Sequence, residues 1–473
     1  MPLLSPEQLK RTDREARSLL AEVGVRVDHP EIFELLCARG ARGDRKDSVV
    51  RLDEDMVSRA LASCPRTVIL ADLEGRTTPI ATGTPPLFWG GNALYYERGG
   101  KRVDMTEERF VEMVRLYDTL EALHAIVGTS ISDFPPKTRD FTGLRRMAEH
   151  GRKHLRPCIY TPDGARIIIE MCQAILGMPR FKGATLKQLP IVSFGFTVVS
   201  PLHWTRLALD VFQATSGFGI PVMVNSEVIA GATSPATLAG SLCLSVAEVL
   251  SGIVIVQALE PGRPTVFNAG FPHIFDMRTA ETLTGCAENG LLQGAGGEMA
   301  RFYGLPSASW MSTESTVADC QASFEKLLTG LLHAQSGVNL IWGVGNLEST
   351  LTICPAQAVI DNEIAKSISR CVAGIGFDEE SIAAPLIREM GHRAGYLEAD
   401  HTLRHYRTEV LETDLWNRNR RSRWEENGGA DTTARAERMV DERLSRKVES
   451  TLDDDTRRRL GVIEKRGMEE LGG

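Results

Sequence analysis

Paired cysteines are missing from this chain. Nine thiols stand at positions 37, 64, 158, 172, 243, 286, 320, 354 and 371, an odd number with no C-x-x-C among them. Neither a disulfide framework nor a four-cysteine zinc site is signalled. The thiols read as small apolar residues in a reducing compartment, with the cytoplasm as the default. Positive charge is also short: the net charge is −8, whereas a nucleic-acid binder normally presents a basic face. No apolar run reaches the roughly 18 to 20 residues of a membrane span. The segment 1-MPLLSPEQLKRTDREARS lacks the continuous apolar core of a signal peptide. There is no G-x-x-x-x-G-K-[ST] and no G-x-S-x-G. The stretch 343-GVGNLE starts like a dinucleotide fingerprint but carries Glu348 where the third glycine belongs.

What is present is rhythm. Hydrophobic residues make up 42% of 473 positions, enough for a large core. Apolar stretches at 87-LFWGG, 124-HAIVGTS, 156-RPCIY, 190-PIVSFGF, 220-IPVMVNS, 264-PTVFNAG, 306-PSASWMS and 338-VNLIWGVG are each followed by a helical segment. Eight such units close most economically into a (β/α)₈ TIM barrel. The run 252-GIVIVQAL looks like a ninth strand, but four residues cannot carry a parallel crossover to 264-PTVFNAG, so it reads as the buried end of a long helix from Pro235. The expected organisation is an α-rich N-terminal lead-in over 1–85, the barrel over 86–374 and a helical C-terminal extension over 375–473 packed on the barrel. A hairpin is expected at 92-NALYYERGGKRVDM, turning at Gly99-Gly100, and Trp416 and Trp424 are expected to pin the tail to the barrel wall. His150 and His154 share i,i+4 spacing, but their place late in a surface helix favours a helix C-terminus over a metal site.

A barrel puts its chemistry at the C-terminal ends of its strands. Strand ends supply Asn92, Ser130, Asp133, Thr161, Thr197, Asn268 and Ser312, and the candidate site comprises Tyr160, Phe196, Asn225, Glu227, Phe271, His273, Trp310, Glu314, Trp342, Asn346 and Glu348. Aromatics are only 6% of the chain, yet Tyr160, Phe196, Phe271, Trp310 and Trp342 all fall at or near strand ends. Aromatic faces with a few carboxylates can hold a quaternary ammonium, which has no hydrogen to donate. The same rings could instead cap the barrel core. Asn225, His273 and Asn346 are the nearest donors for a substrate carboxylate.

Several longer segments carry a resemblance. They are 19-LLAEVGVRV, 49-VVRLDEDMVSRALASCPRTVIL, 231-GATSPATLAGSLCLSVAEVLSG, 257-QALEPGRPTVFNAG, 319-DCQASFEKLLTGLL, 357-QAVIDNEI and 398-EADHTLRHYR. In order and coverage the chain resembles the trimethylamine methyltransferase family, the corrinoid-dependent methylamine and betaine methyltransferases. The resemblance implies a TIM barrel that moves a methyl group from an amine to the Co(I) of a corrinoid carried by a partner protein. It implies no covalently acting side chain and no tightly bound metal. Trimethylamine-specific members carry pyrrolysine near Trp310 to Thr313, and here 308-ASWMSTEST holds only standard residues. The resemblance therefore implies a member lacking pyrrolysine, acting on glycine betaine or a similar quaternary amine. The D-x-H-x-x-G motif of a corrinoid carrier is absent, so a separate carrier protein is expected as partner. Neither nucleic acid nor membrane is expected as a partner, and the helical tail is compatible with a homo-oligomer. Two alternatives stay open: a TIM-barrel lyase or decarboxylase on a carboxylated amine, using Glu227 or His273 as acid or base, and a non-catalytic betaine-binding protein.

Overall fold

The structure is a computed structural model that describes residues 2–392, 395–446 and 449–472. Its centre is a ring of eight strands: β1 (Leu87–Gly90), β2 (Leu123–Val127), β3 (His154–Arg156), β4 (Phe194–Val198), β5 (Val222–Ser226), β6 (Thr265–Asn268), β7 (Ala308–Trp310) and β8 (Leu340–Val344). They pair in parallel as β3–β2–β1–β8–β7 and β4–β5–β6. Two single parallel bridges, Leu155–Val192 and Phe267–Ser307, join these ladders into a closed barrel. Each strand begins within four residues of its expected position. The following helices are α1 (Glu107–Thr119), α2 (Arg139–His150), α3 (Pro162–Leu176), α4 (Arg206–Ala214), α5 (Leu238–Leu259), α6 (Ala287–Phe302), α7 (Cys320–Gln335) and α8 (Pro355–Ala373).

The run 252-GIVIVQAL lies inside α5. A helix apolar on every face must be buried on every face, and residues from Val246 to Ala258 are buried throughout. By length and composition α5 would pass for a membrane span, contrary to the sequence reading, but 89% of its most apolar window is covered by protein. Gly252 makes that cover possible, because a Cβ there would stand 2.4 Å from both Trp204 and Val224.

The lead-in departs from expectation. Its helices Pro6–Glu22, Pro30–Ala38 and Glu54–Ser63 stand where expected, capped by the side chains of Ser5, His29 and Asp53. Between and after them run short strands, and the hairpin Thr67–Ala71 with Thr77–Ala81 forms the barrel floor. Its Val68, Leu70 and Ile80 share one inner core with Trp89, Leu340 and Trp342. The hairpin expected in the first loop is present as Tyr95–Arg98 with Lys101–Asp104, and Gly99 and Gly100 both take positive φ.

His154 is the second correction. It opens β3 inside the barrel instead of ending a surface helix, with Nδ1 2.9 Å from the Ala71 carbonyl and Nε2 2.8 Å from Ser193 Oγ. It lies against Trp89 at 5.6 Å. Three residues are too short a strand to show a period, so the polar imidazole hid its start.

On the outside, helix α12 (Thr432–Ser445) packs on α8 and α1, and α13 (Asp454–Leu471) on α3 and α2. Trp416 packs into the same core. Trp424 does not reach the wall: its Nε1 donates to the Ala430 carbonyl at 3.0 Å and its ring covers Gly429.

Two expectations follow. Lys326 on α7 and Asp361 on α8 form a fully buried ion pair, and removing one partner of such a pair typically costs about 3–5 kcal/mol. Lys326→Met should lower stability by roughly that amount in urea denaturation. The double change with Asp361→Leu should recover part of it, and equal loss in both would mean that the cost does not come from an uncompensated charge. The second concerns acid. Burial depresses His154 to about 4, while an unfolded histidine titrates near about 6.5. The unfolded chain therefore binds more protons between these values, and stability falls as pH drops through that window. His154→Gln should flatten the slope of stability against pH by up to about one proton, and an unchanged slope would show that His154 is not held neutral.

Candidate active site

The C-terminal ends of β3 to β8 converge on one polar and aromatic chamber. Trp310 on β7 pairs in register with Trp342 on β8, and their rings stand 5.4 Å apart. Phe271, just past β6, meets both edge-on at 5.2 and 5.4 Å. Trp89 stacks beneath Trp342 at 5.3 Å. Gly343 lets this group close: it sits at φ 107, and a Cβ there would lie 2.1 Å from the Met311 carbonyl and 2.7 Å from Trp310 Nε1. Three of the five aromatic rings expected at the mouth, Phe271, Trp310 and Trp342, are thus brought together.

Across the opening runs a chain of amides. Asn268 Nδ2 donates to Asn225 Oδ1 at 2.8 Å, Asn225 Nδ2 points to Thr197 Oγ1 at 3.5 Å, and Thr197 donates to Glu227 Oε1 at 3.2 Å. Glu227 is reachable by solvent, yet it stands in a concave mouth, and the surrounding protein pushes its carboxyl above the usual range. His273 opens the strand His273–Asp276 above the barrel. Burial depresses it to about 4, so it is neutral, and its Nδ1 has no hydrogen-bond partner.

Other expected members do different work. Phe196 faces outward and meets Phe212 of α4 edge-on at 5.6 Å, so it belongs to the layer between strand and helix. Alternation along β4 turns Gly195 and Thr197 inward instead. Tyr160 lies apart from the tryptophans, its amide donating to Asp140 Oδ2 at 3.3 Å, and burial raises its phenol. Glu314 Oε1 accepts from the Gly285 amide at 2.8 Å and from the Thr284 hydroxyl at 3.0 Å, which ties down the loop before α6. Glu348 receives Arg102 at 2.7 Å and Thr352 at 2.8 Å. It begins three successive residues of positive φ, Glu348 to Thr350. Asn346 donates to the Asn92 carbonyl at 2.7 Å, binding β8 to the end of β1.

Sequence reading missed the residue that dominates the electrostatics. Arg156 ends β3 with its guanidinium over the Trp342 ring at 5.2 Å. One terminal nitrogen donates to the Pro157 carbonyl and the other to Gly195 at 3.3 Å, while Nε is buried without a partner. No carboxylate among the described residues pairs with it, and burial alone pulls it down to about 10. It is still cationic at neutral pH. The indole N–H of Trp342, the ring under the guanidinium, also lacks an acceptor. Buried donors are normally satisfied, so a guanidinium with an unmet Nε and no carboxylate partner among the described residues can receive an anionic group. The signal available was a charged residue inside an apolar strand, which is rare unless it has a partner.

The trimethylamine methyltransferase (MTTB) profile matches residues 1–472. The chain belongs to the trimethylamine methyltransferase family. It is 29% identical over 463 residues to trimethylamine methyltransferase MttB of Desulfitobacterium hafniense, covering 95% of this chain and 92% of that one. It is 26% identical over 474 residues to a glycine betaine methyltransferase of the same species, covering 99% and 97%. Among solved structures it resembles the hydroxylamine complex of MtmB, with a TM-score of 0.53 at 12% identity over 97% of this chain and 92% of that one. The Methanosarcina barkeri monomethylamine methyltransferase MtmB gives a TM-score of 0.51 at 12% identity, over 78% and 81%. Members of this family are methyltransferases, and the barrel is their shared frame.

The packing of these rings depends on Gly343. Gly343→Ala should displace Trp310, visible as loss of near-ultraviolet circular dichroism with little change in the far ultraviolet. An intact near-ultraviolet spectrum would mean the strand absorbs the methyl group without moving the rings.

Proposed function

We propose that this chain transfers a methyl group from a quaternary amine bearing a carboxylate, glycine betaine or a close relative, to the Co(I) of a corrinoid carried by a separate protein. Arg156 carries the reading: a buried guanidinium with no carboxylate partner among the described residues, an unmet Nε and the Trp342 ring beneath it is suited to receive a carboxylate. The ammonium then falls against the faces of Phe271 and Trp310, with Glu227 offsetting its charge. The relationship to a glycine betaine methyltransferase supports the same substrate class, as does a standard residue at each position from Trp310 to Thr313.

The chemistry asks little more of the chain. A methyl on quaternary nitrogen leaves behind a neutral amine, so no acid is required. The corrinoid supplies the nucleophile, and the chain's residues position the methyl toward the mouth, exclude water and balance charge. Arg156 anchors one end of the substrate, the aromatic wall fixes the other, and the amide row from Asn268 to Thr197 lines the approach.

The test is turnover of glycine betaine with free cob(I)alamin, followed by loss of cob(I)alamin absorbance and by release of the demethylated amine. Truncating one member of a buried charge pair typically costs 2–5 kcal/mol, so Arg156→Gln should weaken glycine betaine by about 30-fold or more. Tetramethylammonium, which has no carboxylate and meets only the repulsion of the guanidinium, should instead bind more tightly to Arg156→Gln. Trp310→Ala should cost about tenfold in affinity, the range of a cation–π contact, with Phe retaining most of it. Consumption of substrate without loss of cob(I)alamin would favour a lyase acting through Glu227 or His273, and saturable binding without turnover a binding protein. Equal affinity for 3,3-dimethylbutyrate, the uncharged carbon analogue of the ammonium, would sink the aromatic cage.

A further inference from the structure

The segment 398-EADHTLRHYR takes no part in the chamber. It belongs to an arm of three helices, α9 (Glu379–Ile382), α10 (Ala384–Met390) and α11 (Asp400–Glu409). None of the three buries a single residue, and Ile382, Ile387 and Leu403 are 40%, 52% and 63% exposed. Apolar burial, which orders most helices in proteins, is therefore not what joins α9 to α11. Side-chain chemistry does that. His401 and His405, one turn apart on α11, stack at 4.3 Å between ring centroids. His401 Nε2 is 2.9 Å from the Glu380 carbonyl, and His405 Nε2 is 3.2 Å from Glu380 Oε1.

We propose that Glu380, His401 and His405 form a site for a divalent transition ion of the zinc class that fastens α9 to α11. One ligand atom from each residue lies within 4.8 Å of the other two. Donors on a tetrahedral zinc, at about 2.0–2.1 Å from the metal, stand roughly 3.4 Å apart, so closure needs only small rotations of surface side chains. Two imidazoles and one carboxylate, with a fourth position left for water, select zinc-like ions over calcium or magnesium, which prefer oxygen. The local charge favours a cation: Glu379, Glu389, Glu398 and Asp400 line the same hollow. Arg404 is the competitor, 2.6 Å from Glu380 Oε1. Both its contact and that of His405 fall on Oε1, so Oε2 can face an ion. This site departs from the expectation of a metal-free chain and lies outside the methyl-transfer chamber.

The experiment uses the full chain without a polyhistidine tag, dialysed against chelator and titrated with Zn²⁺ by calorimetry and with Co²⁺ by visible absorption. Saturable binding of one ion per chain is expected, with the absorption of a four-coordinate Co²⁺ site. His401→Ala, His405→Ala and Glu380→Gln should each weaken it by roughly 100-fold, and Arg404→Gln should strengthen it. In the wild type, Zn²⁺ should also raise hydrogen-exchange protection within 379–409, a reading that depends on no variant. Absence of saturable binding, binding untouched by all three ligand changes, or protection appearing only elsewhere would each overturn the site.

Discussion

Lys326 and Asp361 are both withdrawn from water, and each is charged only because the other is there. Burial favours the neutral form of each, and their mutual attraction pulls both back toward the ionised one. What they hold is the end of β8. Lys326 Nζ donates to the Gly343 carbonyl at 2.8 Å, Asp361 accepts the Gly345 amide at 2.7 Å, and Gln357 steadies the carboxylate at 2.8 Å. Gly343 and Gly345 both take positive φ, so this strand end is bent as no ordinary strand would be. On one side of the bend Trp342 is turned into the chamber, and on the other Asn346 is tied to β1. The placement of Trp310, Phe271 and Arg156 follows, since each is positioned by contact with Trp342 or with Gly343. A polar clamp behind the barrel wall thus sets an aromatic surface in front of it.

The barrel was legible because its rule is coarse. Eight apolar stretches separated by helical lengths specify the order of elements, and right-handed parallel connections leave few ways to arrange them. The run 252-GIVIVQAL reads as helix because four residues cannot carry a crossover, a constraint on chain reach and not on propensity, and because Pro261-Gly262 stops it. Facing was harder. Side chains in a strand alternate, so a shift of one position exchanges wall for chamber. In β4 the sequence offers 190-PIVSFGF without a polar and apolar alternation, because both faces of a barrel strand are covered. Proximity to the strand end points Phe196 into the mouth, and the structure turns it toward Phe212. Glu314 and Glu348 were plausible counter-charges until their backbone and Arg102 partners were known. Such partners come from loops distant in sequence and leave no local pattern. His154 and Arg156 are obscured for one common reason: the sequence reading starts this strand at Arg156, which puts His154 in the preceding helix and Arg156 at the wrong end, whereas the strand runs from His154 and ends at Arg156.

Two buried arginines show how the chamber differs from the rest of the core. Arg263 and Arg156 are both pulled down to about 10 by burial. Arg263 gives Nε to the Ile220 carbonyl at 3.0 Å and a terminal nitrogen to Thr215 at 2.9 Å, with Glu260 at 3.7 Å. Its donors are used, and it fastens the loop before β5 to α4. Arg156 keeps Nε unused and has an aromatic face where a carboxylate would be expected. Leaving a buried charged donor unmet costs more than leaving a neutral one, so Arg156 is retained against stability. A ligand that meets it recovers what the fold gives up.

A cationic substrate beside a guanidinium would be self-defeating if distance did not decide the balance. At an effective dielectric near 20, opposite charges about 4 Å apart attract by about 4 kcal/mol, and like charges about 8 Å apart repel by about 2. A zwitterion whose carboxylate approaches Arg156 first therefore gains more than its ammonium loses, before the aromatic faces or Glu227 contribute. A simple trimethylammonium ion has only the repulsive term. The guanidinium would act as a filter as well as an anchor, admitting amines that bring their own anion and turning away those that do not. In that arrangement the same charge that selects the substrate also fixes its direction. The carboxylate must point down toward β3 and the methyl groups up toward the open end of the barrel, where a methyl acceptor held by another protein can reach them.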